Sequence, residues 1–152
     1  MKLAAHNDNA FVLNFERGEE LTASLLAFCT EKGLSGATFT GLGAADEVEL
    51  AYYNLGTKSY ERHPIHEELE ILSITGNLGN LDEKLMLHMH GVFGRNDLST
   101  LGGHIFTLRV SGACEIHLTA LPALLTRAYD ETTGLNLLCD KEALSKENKA
   151  HS

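Results

Sequence analysis

One stretch of this chain has the period of a helix, and nearly everything after it has the period of a strand. Between Glu19 and Lys32, Leu21, Leu25 and Phe28 share one face, with Leu26 and Cys29 beside it. Gly33 follows, where a helix end calls for a residue that accepts positive φ. Upstream, Phe11, Leu13 and Phe15 alternate against Val12 and Asn14, which predicts a strand, and Glu16-Arg17-Gly18 turns the chain towards the helix. Downstream, β-rich runs recur at Ala37–Thr40, Val48–Tyr53, Ser59–Ile65, Leu69–Leu78 and Lys84–Phe93. Ile105–Val110 and Ala113–Leu121 form one long strand or two divided near Gly112, and a turn signal at Asp130–Gly134 separates two further short runs. The pattern predicts an α+β fold, a mainly antiparallel β-sheet packed on one main α-helix. Pro64 cannot donate to a ladder, so its run is expected at an edge or as an irregular stretch.

The body of the domain is expected over residues 9–139, after a short N-terminal segment at 1–8 and before a polar C-terminal tail at 140–152. No apolar run reaches the roughly 18 residues of a membrane span. Met1 to Asn9 lacks the order of a signal peptide, so the expected compartment is the cytoplasm, with no membrane partner. Cys29, Cys114 and Cys139 lie far apart without a C-x-x-C pair, and are expected to act as small hydrophobes rather than in disulfides or a thiolate metal site. Lys plus Arg is 12 against 21 Asp plus Glu, a formal net charge of -9. Sequence-independent DNA affinity comes from cations that neutralise phosphates. No basic run offers them, so autonomous nucleic-acid binding is disfavoured.

The histidines carry the chemistry. In Lys84-Leu85-Met86-Leu87-His88-Met89-His90-Gly91-Val92-Phe93 the strand period puts His88 and His90 on one face. After a polar loop, Gly102-Gly103-His104 opens the next β-rich run. An antiparallel return would bring His104 beside the first two. Three neutral imidazoles suit Zn²⁺ or a similar divalent metal, leaving a fourth position for water or a small-molecule ligand. An ordinary imidazole titrates near pH 6.5, so protons are expected to compete with the ion near pH 6. His63, His66 and His117 read as solvated. Gly41-Leu42-Gly43 reads as a tight strand exit, since it lacks the third glycine and the helix of a phosphate loop.

Several of these segments together resemble a known family, the PPC (DUF296) domain of plants and prokaryotes. They are Leu87-His88-Met89-His90 with Leu101-Gly102-Gly103-His104, Arg17-Gly18-Glu19-Glu20, Gly41-Leu42-Gly43-Ala44, Leu69 to Asn77, and Tyr129-Asp130 with Gly134-Leu135. The likeness spans about residues 8 to 139. It implies a bent antiparallel sheet, assembly as a homotrimer, and a zinc-like ion on His88, His90 and His104. It also implies a fold similar to that of acetolactate decarboxylase. Plant members follow an AT-hook, but no Arg-Gly-Arg-Pro occurs here, and the plant Gly-Arg-Phe segment reads Glu67-Glu68-Leu69. Three functions stay open at this point. One is a trimeric metal-binding module, with a regulatory role among those it could serve. The second is a zinc-dependent lyase or hydrolase, for which Glu68, Glu70 and Asp97 are candidate acids or bases. The third is a DNA-binding transcriptional regulator.

Overall fold

The computed structural model describes residues 1–139, so the tail expected over 140–152 lies outside the described residues. The helix, α1, spans Leu21–Glu31 and buries Leu21, Leu25, Phe28 and Cys29, the face that the periodicity picks out. Glu20 caps it: its carboxylate accepts from the backbone N–H of Thr22 and Ala23 at 3.1 and 2.6 Å. The same carboxylate accepts from the N–H of Leu108 at 3.1 Å, which pins the start of the helix to a strand. Gly33 ends it at φ 64°, and the Leu34 N–H returns to the Cys29 carbonyl.

The strands are β1 (Lys2–His6), β2 (Ala10–Glu16), β3 (Ala37–Asn54), β4 (Ser59–Ile65), β5 (Leu69–Leu81), β6 (Lys84–Gly94), β7 (Thr100–Ala120), β8 (Arg127–Asp130) and β9 (Leu135–Leu138). Seven of them form one antiparallel sheet in the order β1-β2-β7-β6-β5-β3-β4, while β8 and β9 pair separately. Strand β7 also pairs with β3, so β3, β5, β6 and β7 make a closed ring of ladders. Buried apolar side chains of the sheet, among them Phe15, Ile74, Leu78, Phe93 and Leu108, join the buried face of α1 in one core. Among the described residues, no helix is long and apolar enough to cross a membrane.

Three readings become more definite. Within residues 1–8, Lys2–His6 form β1, an exposed edge strand on β2. The runs at Ala37 and Val48 belong to one strand, β3, whose alternation is broken by register shifts against β5 and β7. Of the two alternatives for the run around Gly112, the structure shows one strand, and β7 gains its length by serving β6 first, then β3 and β2. Strand β4, which contains Pro64, is the edge that proline requires. Cys29 and Cys114 are buried free thiols, and burial pushes them up to about 11 and about 12, as inert core groups.

The switch of β7 from β6 to β3 depends on close backbone approach. Gly103 lies where a Cβ would stand 2.8 Å from the Ala51 carbonyl oxygen of β3. Gly112, further along β7, would meet only the Ala44 Cβ at an ordinary 3.7 Å. Gly103→Ala should therefore cost about 1–3 kcal/mol in urea unfolding, the range of overpacking. Gly112→Ala should leave the midpoint nearly unchanged or raise it, and equal effects of the two would refute the close approach.

Candidate metal centre

A two-residue turn sets the register of the histidines. Asp82 and Glu83 have φ of 48° and 64° between the paired Leu81 and Lys84, the geometry of a type I′ hairpin. Counting back from that turn, Asn77 falls opposite His88 and Thr75 opposite His90. On the far side of β6, His90 pairs with His104, the last pair before the β6 and β7 ladders part. From His104 onward β7 pairs with β3 instead, so the β6 edge at His88 faces a cleft rather than a strand.

The three rings gather at this fork. Their centroids lie 5.1 Å apart for His88 and His90, 5.2 Å for His88 and His104, and 5.3 Å for His90 and His104. One nitrogen from each lies within 4.8 Å of the others. A tetrahedral zinc with Zn–N bonds of about 2.0–2.1 Å holds its nitrogens roughly 3.3 Å apart, so small ring movements would complete a set of ligands. His104 Nδ1 is buried and finds no hydrogen-bond partner. An orphaned buried nitrogen costs on the order of 1–3 kcal/mol, and a cation that takes up a ring lone pair offsets it. The donor set fits a divalent late first-row ion.

Burial favours the neutral form of two of the rings. Burial, then His88 and His90, pull His104 down to about 4. His88 is lowered by burial, by the nearby Arg127 and by His90. At His104 competition from protons thus moves below the pH 6 expected of an ordinary imidazole, and its lone pair stays available well into acidic solution.

The cleft widens into a cavity of about 500 Å³. Tyr60 and Phe106 pack on His104, each with ring centroids 4.9 Å away. The Arg62 guanidinium lies 3.9 Å over the Phe106 ring and pairs with Glu49. The opposite wall comes from the β8–β9 hairpin: Arg127, Leu135, Asn136 and Leu137. Phe106 was within reach of the sequence, since it stands two residues after His104 on the same strand face. Arg127 was not, because no local pattern joins it to a histidine so distant in the chain.

The acids weighed as catalytic groups lie elsewhere. Glu68, Glu70 and Asp97 are exposed, and none lines the cavity. Glu70 pairs with Gly94 and Thr75 with His90 on the same ladder, five residues or roughly 17 Å of strand apart. Asp97 is engaged by Ser99, which lowers its carboxyl. His63, His66 and His117 are exposed as expected, and Gly41-Leu42-Gly43 is strand.

The model of the Plants and Prokaryotes Conserved (PCC) domain matches residues 3–122 of this chain. The chain belongs to that family. Two solved relatives share its fold closely. One, from Bacteroides thetaiotaomicron and described as a candidate DNA-binding protein, is 32% identical with a TM-score of 0.85, over 89% of this chain and 94% of that one. The other, a metal-containing protein from Archaeoglobus fulgidus, is 33% identical with a TM-score of 0.82, over 92% and 100%. Acetolactate decarboxylase from Bacillus subtilis is 13% identical with a TM-score of 0.53, over 93% of this chain and 65% of that one, a likeness of fold alone. No curated protein matches the chain.

The depressed His104 carries a consequence for pH. The unfolded chain takes up this proton near 6.5, the folded chain only near 4. Between these values falling pH favours the unfolded state, so stability is lost. Urea midpoints of metal-free protein should decline from pH 6.5 to pH 4, and His104→Gln should flatten part of that decline. An identical slope in the variant would refute the assignment.

Proposed function

We propose that this protein is a metal-binding PCC-domain module that holds one zinc-like divalent ion per chain on His88, His90 and His104. The carrying observation is the approach of three imidazole nitrogens to within 4.8 Å of one another at the fork of β6 and β7. Three protein ligands leave a coordination position open, and the adjoining cavity of about 500 Å³ gives a small molecule access to it. The metal-containing relative from Archaeoglobus fulgidus supports the reading. Free thiols at Cys29 and Cys114 are in keeping with a reducing, cytoplasmic compartment.

The proposed working form is a homotrimer. Leu42 and Leu72 on β3 and β5 are each 54% exposed, and Val92 on β6 is 45% exposed, an apolar outer surface that self-association would cover. The closed ring of ladders and the register shifts of β3 support the bent sheet expected of the family. The lyase or hydrolase reading draws on the open cavity. It lacks a carboxylate among the described residues that line the cavity, so an acid or base would have to come from Tyr53, Tyr60 or the ligand itself.

Purified without chelator or affinity tag, the chain should sediment as a trimer with about one zinc per chain by elemental analysis. His88→Ala and His104→Ala should each lose most of the metal. Equal metal in all three proteins would overturn the site, and a sedimenting monomer would overturn the assembly.

DNA binding is the weaker alternative, although the Bacteroides relative is described in those terms. The net charge is -9, and Lys2, Lys32, Arg62, Arg95 and Arg109 each stand against a carboxylate. Anisotropy titration with duplex DNA at ~150 mM salt should give binding weaker than the roughly 10⁻⁴ to 10⁻⁶ M of ordinary non-specific binders. A sub-micromolar complex lost on raising salt would reverse this reading.

A further inference from the structure

Arg127 is the one buried charged side chain among the described residues, at 7% exposure. Its Nη1 donates to the Asn136 carbonyl oxygen at 2.9 Å and its Nη2 to Asn77 Oδ1 at 2.7 Å. Both acceptors are neutral. Its Nε is buried with no partner. A guanidinium carries five N–H donors, so most of its capacity is unspent. Elsewhere Arg62, Arg95 and Arg109 each meet a carboxylate. Here the described cavity lining includes no Asp or Glu.

A buried cation without a counter-ion is costly, and burial presses against the charge of Arg127. The cost is understandable if the partner is a ligand. The placement of Arg127 suits that role. Asn77, which holds the guanidinium, is the ladder partner of His88, so the charge is tied to the register position of a proposed metal ligand. The remaining walls are mostly apolar and aromatic: Tyr60, Phe106, Met86, Leu135 and Leu137.

We propose that the cavity binds a small organic monocarboxylate, with Arg127 holding the carboxylate and the aromatic and aliphatic wall holding its apolar body beside the histidines. This deepens the metal-module reading and rests on it for the open coordination position, but the carboxylate anchor belongs to Arg127 itself. One guanidinium favours a single negative charge. Inorganic phosphate, with more charge and no apolar body, should bind less well.

The test is calorimetric titration with 4-methylpentanoate, its neutral amide 4-methylpentanamide, and inorganic phosphate, on metal-free and zinc-loaded protein. Wild type should prefer the acid to the amide by about tenfold or more, the worth of a charge-assisted hydrogen bond, and this should hold without metal. Arg127→Gln should abolish the preference. Should that variant fail to fold, Asn77→Asp keeps the guanidinium and supplies a carboxylate at the existing 2.7 Å contact, so it too should abolish the preference. Equal binding of acid and amide would overturn the proposal. So would no binding of the acid at about 10 mM, a preference that survives both substitutions, or phosphate binding tighter than the acid. Zinc uptake with no acid preference sinks this inference and leaves the metal module standing. An Arg127-dependent preference in a chain that takes up no zinc supports the anchor and sinks the metal module.

Discussion

At His104 strand β7 lets go of β6 and takes up β3, and the rest of the site follows from that exchange of partners. A strand can pair on both edges, but β6 before His90, from Lys84 to Met89, has its β7-side edge released. Backbone and side chains there face a cleft, and three imidazoles from two strands converge at its apex. The exchange needs a backbone that β3 can approach, which is the place of Gly103 beside the Ala51 carbonyl. The same exchange makes β7 the longest strand and binds three neighbours through one continuous segment. Packing and chemistry therefore share a single geometric cause.

Charge is distributed in two tiers. The exterior is acidic, and among the described residues Lys2, Lys32, Arg62, Arg95 and Arg109 are matched by carboxylates. The cleft reverses this: it holds a guanidinium with neutral acceptors and, among the described residues that line it, no carboxylate, so it carries a positive charge even before any metal is bound. A small anion gains in such a cleft, where the low dielectric strengthens attraction, while a polyanion such as duplex DNA meets the acidic exterior first.

Legibility in the sequence tracked the range of the interactions. The helix face and its glycine stop are local and were readable, as was the edge position of the Pro64 strand. His88 and His90 were readable because a strand repeats every two residues, and His104 because a short loop returns it. The unity of β3 was not, because register shifts near Gly43, Ala45 and Glu49 erase the alternation that would have marked it. Strand β1 escaped notice because all five residues are exposed and carry no burial pattern. Arg127 joins the site only through tertiary packing of a hairpin far along the chain. Glu68, Glu70 and Asp97 were singled out for their chemistry alone, and the ladder carries them away from the histidines.

The β8–β9 hairpin is a separate two-stranded sheet, and Tyr53 fastens it by donating to the Thr133 carbonyl at 2.8 Å. Its Arg127 lines the cavity together with the histidines of β6 and β7, so the histidine floor and the arginine-bearing wall are built by separate sheets. Such an arrangement lets a change in the hairpin reshape the wall without disturbing the ring that builds the floor.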